Sequence, residues 1–146
     1  MIRQGQLVDE VSSQIPQDVT GSWKRLIYTR RALSMYARED MVVHRPDGTV
    51  GSALPPLAME DSIDELRSVM YQPGVGTWFS ATWTLECDES GSVSVDVDFD
   101  YDNEPDWGQS VSPATFAIDL EDFPRDDENT PSWLAKKAAE ARREAR

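Results

Sequence analysis

The sequence of 146 residues has few of the side chains from which metal and redox sites are built. It contains one cysteine, Cys87, and one histidine, His44. A single cysteine cannot close an internal disulfide, and it excludes a zinc site made of several cysteines. No apolar run approaches the roughly 20 residues of a membrane-spanning helix. We therefore predict a cytoplasmic protein that binds no metal, no cofactor and no membrane.

Basic residues are scarce as well. Lysine and arginine number 14 against 27 aspartate and glutamate residues, and the formal net charge is −13. Because contacts to phosphate groups need lysine and arginine, this composition argues against nucleic-acid binding. The negative charge is concentrated in residues 86–128, which hold 15 acids and a single base, Arg125.

Hydrophobic residues, five tryptophans among them, make up 39% of the chain. This is enough for the core of one domain over residues 1–146, with a short charged tail from about residue 143. Apolar residues at helical spacing predict three helices: 3–15, a central one with Ile63, Leu66 and Met70 on one face, and 131–145, capped by Thr130. The predicted strands are 23–35, 41–45, 76–86, 92–102 and a short one at 116–120. We predict an α+β fold, with a mainly antiparallel sheet and the N-terminal, central and C-terminal helices on one face.

The clearest local signal is a β-hairpin around Gly91. Two alternating segments flank a three-residue loop in which Gly91 takes a left-handed conformation. Pairing Asp88 with Ser92 sets apolar residues opposite one another on one face, and a slip of one residue would break that pattern. Phe99 and Tyr101 are then expected to point to the core. The expected pairs on this face are Leu85 with Val95, Trp83 with Val97, Ala81 with Phe99 and Phe79 with Tyr101.

The opposite face of the hairpin carries a row of aspartates. Side chains two residues apart on a strand share a face and lie roughly 6–7 Å apart. Like charges at that spacing repel, and aspartate is a poor strand former. We interpret this costly arrangement as a surface for a basic partner, anchored by neighbouring tryptophans. The predicted contact residues are Trp78, Asp96, Asp98, Asp100, Asp102, Glu104, Asp106 and Trp107.

Other interpretations of the aspartate row remain open. The row can be a solvated face of an acidic scaffold, a cation-binding module, or part of a metal-dependent enzyme. An EF-hand calcium loop does not fit, because it needs glycine and glutamate at the sixth and twelfth positions counted from Asp96, where Tyr101 and Trp107 stand. Carboxylates exposed to water are also poor candidates for general acids. We therefore predict no catalytic residue.

Several motifs occur in order along the second half of the chain. They are Gly76-x-Trp78 opening a strand, Asp98-Phe99-Asp100-Tyr101-Asp102, Asp119-Leu120-Glu121-x-Phe123-Pro124-Arg125 and Thr130-Pro131-x-Trp133-Leu134. An N-terminal helix ending at Ile15-Pro16 and followed by Trp23 precedes them. This ordered set resembles the YezG-like family of bacterial immunity proteins, which are antitoxins. The resemblance covers roughly residues 7–134.

The resemblance implies a small cytoplasmic inhibitor encoded beside a secreted polymorphic toxin, often one exported by a type VII system. The resemblance also implies that the protein binds the toxin domain and blocks it until export. Several known partners in the family are nucleases. A nuclease needs a basic cleft for its polyanionic substrate, and an acidic sheet face is complementary to such a cleft. The expected partner is therefore a basic toxin domain, foremost a nuclease.

Overall fold

A computed structural model of the chain describes residues 2–145. Two short 3-10 turns, Leu57–Met59 and Asp127–Asn129, precede the central and the last helix. The helices and strands follow the chain in the order α1 (Ile2–Gln14), β1 (Arg25–Leu33), β2 (Tyr36–His44), β3 (Val50–Ala53), α2 (Glu60–Val69), β4 (Ser80–Cys87), β5 (Val93–Asp100), α3 (Pro113–Asp122) and α4 (Ser132–Glu144).

The strands form one antiparallel sheet in the order β3-β2-β1-β4-β5, which makes β3 and β5 its edges. The predicted α+β class is confirmed. Strand β3 was not predicted; it pairs with β2 through partners such as Met41 with Ala53 and His44 with Val50. Among the residues described, none of the helices combines the length and the apolar character needed to cross a membrane.

The residues group into two compact units, and each is described by itself. The first comprises the chain up to residue 30 together with 39–69 and 81–98. The second comprises 31–38, 70–80 and the chain from residue 99. Strands β1, β2, β4 and β5 each contribute residues to both units.

In the first unit, α1 packs against α2, and apolar side chains alternate along the strands. Period-two alternation buries one face of β1 and of β4, which explains why Tyr28 and Trp83 are enclosed and in ring contact, with centroids 5.9 Å apart. Trp83 Nε1 donates to Ser12 Oγ at 3.2 Å and so ties β4 to α1. The buried apolar residues shared by these elements are Leu7, Val11, Leu26, Met41, Val43, Ile63, Leu66 and Leu85.

The first unit also encloses an arginine. Arg30 is 3% exposed, and its guanidinium donates to three carboxylates, with distances of 3.1 Å to Glu39, 2.9 Å to Glu60 and 3.0 Å to Asp64. The hydroxyl of Tyr28 donates to the same carboxylate of Glu39 at 2.5 Å. Burial is the main cause that raises the pKa of Tyr28, and this hydrogen bond to a carboxylate raises it further. The buried cation is therefore neutralised within the unit.

In the second unit, α3 packs against α4 around an aromatic core. Trp133 meets Phe79 and Phe116 edge to face, with ring centroids 5.1 and 6.1 Å apart. Trp107 meets Phe116 in the same way at 5.7 Å. Edge-to-face contacts of this kind add to the free energy gained by burying the rings. Leu33 and Leu134 complete the buried cluster.

Two local predictions in the second unit are wrong. Residues 116–120, predicted as a strand, belong to α3, where helical spacing buries both Phe116 and Asp119. Pro113 lies in the first turn of α3, a position that favours a helix start. Helix α4 begins at Ser132 after Pro131, so Thr130 is not its cap; the Thr130 hydroxyl donates instead to the Asp126 carbonyl at 2.9 Å.

The hairpin between β4 and β5 forms as predicted near its loop. Gly91 has φ +86° and donates to the carbonyl of Asp88 at 3.0 Å, and Asp88 N–H donates to the carbonyl of Ser92 at 2.9 Å. The predicted register fails at the far end, where Phe79 N–H donates to Asp100 rather than pairing with Tyr101. The sequence predicts an alternating strand from residue 76 onward. In the structure, strand β4 and its alternation begin only at Ser80.

Candidate partner-binding surface

Two of the predicted contact residues, Asp96 and Asp98, lie on the outer strand β5 and are exposed. They belong to the first unit. Alternation sends their side chains to the face opposite that of Val95 and Val97. The arrangement presents two carboxylates to solvent from a strand that has a neighbour on one side within the described sheet.

The other face of β5 borders a shallow apolar groove beside α1. The groove has a volume of about 500 Å³. Its rim includes Val93 and Val95, which are 49% and 45% exposed although both are apolar. An edge strand with exposed apolar side chains is a template for pairing with a further strand. The lining residues are Val8, Asp9, Ser12, Ser13, Pro16, Leu85, Val93, Val95 and Val97.

The remaining predicted acids belong to the second unit, in a segment that we call the acidic turn, residues 100–106. It begins with Asp100, whose Oδ1 accepts from the backbone N–H of Asp102 and Asn103 at 3.1 and 3.0 Å. Asn103 Nδ2 donates to the other carboxylate oxygen at 2.9 Å. Burial opposes ionisation of this carboxyl, but the hydrogen bonds outweigh it and lower the pKa of Asp100. Asp100 therefore caps the end of β5.

A buried arginine holds the middle of the acidic turn. The side chain of Arg125 is 2% exposed. It donates to the carbonyls of Thr77, Tyr101 and Asn129 at 3.0, 2.6 and 3.0 Å. Its Nη1 also lies 3.3 Å from Oδ1 of Asp102. The guanidinium carbon lies 4.9 Å from the ring centroid of Phe79, which adds a cation–π contact.

Further hydrogen bonds fix the turn at Asp102 and the chain at its C-terminal end. Trp133 Nε1 donates to the Asp102 carbonyl at 2.8 Å. At the far end, the hydroxyl of Tyr36 donates to the Trp107 carbonyl at 2.6 Å, and Arg38 Nη1 lies 3.4 Å from Asp106 Oδ1. The backbone of the turn is thus held from several elements, while the side chains of Asp102 and Asp106 remain 77% and 85% exposed.

The two tryptophans predicted as exposed anchors are buried, so that part of the prediction is wrong. Trp78 is 0% exposed and packs on Phe99, with ring centroids 5.9 Å apart. Trp107 is 6% exposed, and its Nε1 donates to the exposed Glu104 at 3.1 Å. Burying an indole removes a large apolar area from water, and that gain decides the orientation of both rings.

Phe99 and Tyr101 are half-buried, in line with the expectation that they point to the core. Tyr101 donates its hydroxyl proton to the carbonyl of Met70 at 3.0 Å, and burial raises its pKa. Beside them lies an open groove of about 430 Å³ within the second unit. It is lined by Gln72, Val75, Phe99, Asp100, Tyr101, Asp102 and Asn129.

Within residues 2–145, the histidine, cysteine, aspartate and glutamate side chains form no group of three or more that could hold a metal ion.

Sequence reasoning missed the residues that hold the acidic turn, namely Tyr36, Arg38, Arg125 and Trp133. One signal was available: Arg125 is the single base among 15 acids in residues 86–128. A lone cation in such a segment is drawn to carboxylates and carbonyls, but its partners at residues 77, 101, 102 and 129 become visible only in three dimensions.

Neither a scan against protein-family models nor a search of curated proteins finds a match to this chain.

Proposed function

We propose that this protein is an immunity protein, which binds a cognate toxin domain and neutralises it by covering a basic cleft. The observation that carries the proposal is the exposure of Asp96 and Asp98 on an edge strand. The resemblance of the sequence to the YezG-like family supports the same role. The favoured target is a nuclease.

Charge supports this choice of partner. The chain carries a net charge of −13, concentrated in the segment that holds β5 and the acidic turn. An enzyme that acts on a polyanion needs a cationic cleft, and a negative surface attracts such a cleft over several ångströms. Opposite charges can bring association rate constants to the order of 10⁸ M⁻¹s⁻¹ at low salt. Binding is therefore expected to be fast and to weaken as salt is added.

Rigidity of the acidic turn supports the proposal independently. The hydrogen bonds from Arg125 and Trp133 fix its backbone before any partner arrives. A surface that is already ordered loses less conformational entropy on binding. The carboxylates of Asp102 and Glu104 are exposed from this fixed backbone.

The proposed action is by occupancy and uses no chemical step, cofactor or catalytic residue of this chain. The inhibitor would meet its target in the cytoplasm of the cell that makes both, before the toxin is exported. Asp102 and Asp106 each lie near an arginine of the same chain, so their charge is partly offset. Asp96 and Asp98 are therefore the residues we expect to contribute most to binding.

The direct test is co-expression with the product of the neighbouring upstream gene. The proposal predicts that the neighbour alone stops growth of the host, that this protein restores growth, and that the two proteins co-purify. A harmless neighbour that forms no complex would contradict it. Loss of the complex at high salt, measured on the purified pair, is the expected electrostatic signature.

A further inference from the structure

The outer edge of β5 presents unpaired backbone groups. The hairpin bond from Asp88 N–H to the Ser92 carbonyl sets the register with β4. In an antiparallel pair, alternate residues direct their N–H and C=O groups to the neighbouring strand. Residues 94, 96 and 98 therefore bond to β4, and the backbone groups of Val93, Val95 and Val97 point outward. Within the described sheet, no strand lies on that side.

The two faces beside this edge differ in character. On one side lies the apolar groove between α1 and β5, lined by Val8, Pro16 and the three valines. On the other side lie the carboxylates of Asp96 and Asp98. A strand added at this edge would alternate in the same way, with every second side chain in the groove and the others beside the carboxylates.

We propose that β5 receives an extended segment of the toxin domain as a sixth strand, whose apolar side chains enter the groove and whose basic side chains meet Asp96 and Asp98. The inference rests on the proposed function for the identity of the partner. Backbone hydrogen bonds supply the attachment, and the alternation of apolar and basic residues supplies the selectivity. It also accounts for the exposure of Val93 and Val95.

A second copy of the chain is a poorer occupant of the same edge. Antiparallel pairing of two β5 strands around a two-fold axis would bring the aspartates of one copy near those of the other. Like charges across neighbouring strands destabilise pairing. Charge complementarity therefore selects a basic segment and disfavours self-association.

The first test uses synthetic peptides as probes. A nine-residue peptide of alternating lysine and valine should bind the purified protein, as followed by fluorescence anisotropy. Its glutamate–valine counterpart should bind at least tenfold more weakly, and so should a lysine–valine peptide N-methylated on alternate residues. Bound peptide should slow hydrogen exchange at the amides of Val93, Val95 and Val97 at least tenfold. Equal binding of the N-methylated peptide, or binding without this protection, would overturn the inference.

The second test uses the Val95→Pro variant. Proline removes the outward N–H and leaves the bonds of residues 94 and 96 to β4 in place, as tolerated on edge strands. If the variant melts close to the wild type, it should bind the lysine–valine peptide and the toxin domain at least tenfold more weakly. If the variant fails to fold, the binding of the N-methylated peptide to the wild-type protein tests strand addition instead. A dimeric wild type that Val95→Pro converts to a monomer would assign the edge to a second copy and contradict the proposal.

The two proposals fail separately. A wild-type protein that does not protect cells contradicts the immunity function. A folded Val95→Pro variant that protects cells as well as the wild type contradicts strand addition and leaves the immunity function standing.

Discussion

Arg125 Nη1 lies 3.3 Å from Asp102 Oδ1, although the arginine side chain is 2% exposed and the aspartate side chain 77% exposed. The pair thus joins a buried cation to a carboxylate at the surface. Three backbone carbonyls share the same guanidinium, so the arginine acts mainly on the backbone of the acidic turn. The contact fixes the position of the Asp102 carboxylate, which nevertheless stays largely exposed.

Replacement of Arg125 is expected to destabilise the protein. Arg125→Ala removes three part-buried hydrogen bonds, to the carbonyls of Thr77, Tyr101 and Asn129, and such a bond contributes about 1 kcal/mol. We expect a loss of about 3 kcal/mol in the free energy of unfolding, measured with urea. The control Asp102→Asn removes one charge partner of the guanidinium and leaves its three carbonyl partners in place, so it should cost clearly less than Arg125→Ala. Equal losses in the two variants would contradict this assignment.

Gly76 and Gly91 provide a matched pair for testing how closely Arg125 is packed. Both have positive φ, +106° and +86°. A Cβ added at Gly76 would lie 2.7 Å from Arg125 Cζ, whereas one added at Gly91 would meet nothing within 4 Å. Gly91→Ala should cost about 1 kcal/mol of backbone strain. Gly76→Ala should cost clearly more, because the Arg125 side chain would have to move away from its carbonyl partners. Similar melting temperatures for the two variants would refute the close approach.

The ion pairs of Arg30 are expected to contribute to the loss of folding stability at acid pH. The hydrogen bond from Arg30 lowers the pKa of Glu60, against the opposing effect of burial. A lowered folded-state pKa adds stability that is complete above the unfolded value, about 4.3, and is lost as the pH falls through the folded value. Glu60→Gln should therefore flatten the fall of unfolding free energy as the pH drops below about 4.3. Asp61→Asn, a neighbouring change outside these ion pairs, should keep the slope; a common slope for all three proteins would contradict the account.

Local signals in the sequence predicted α1, α2, α4 and the hairpin loop, because these depend on nearby residues. Leu7 and Val11 recur at helical spacing and are buried in α1, and Gly91 takes the left-handed conformation that its loop requires. The segment 116–120, which is apolar except for Asp119, was too short to separate strand from helix by its pattern alone. It became helical where α4 offers a packing surface.

The site was predicted less completely than the fold. The exposure of Asp96 and Asp98 follows from strand alternation, which the sequence displays. Trp78 lies before the first residue of β4, so alternation did not govern it, and burial of its ring did. The role of Arg125 depends on partners up to 48 residues away along the chain, and no local pattern records them.

The affinity of the Asp96→Lys and Asp98→Lys double variant for the purified toxin domain tests the central claim most directly. The control is Asp18→Lys with Glu144→Lys, which makes the same change in net charge at exposed residues outside β5 and the acidic turn. Calorimetry at low salt should find the β5 variant at least a hundredfold weaker than the wild type and the control within about threefold, with melting temperatures nearly unchanged in both. Equal affinities for the two folded variants would contradict the account.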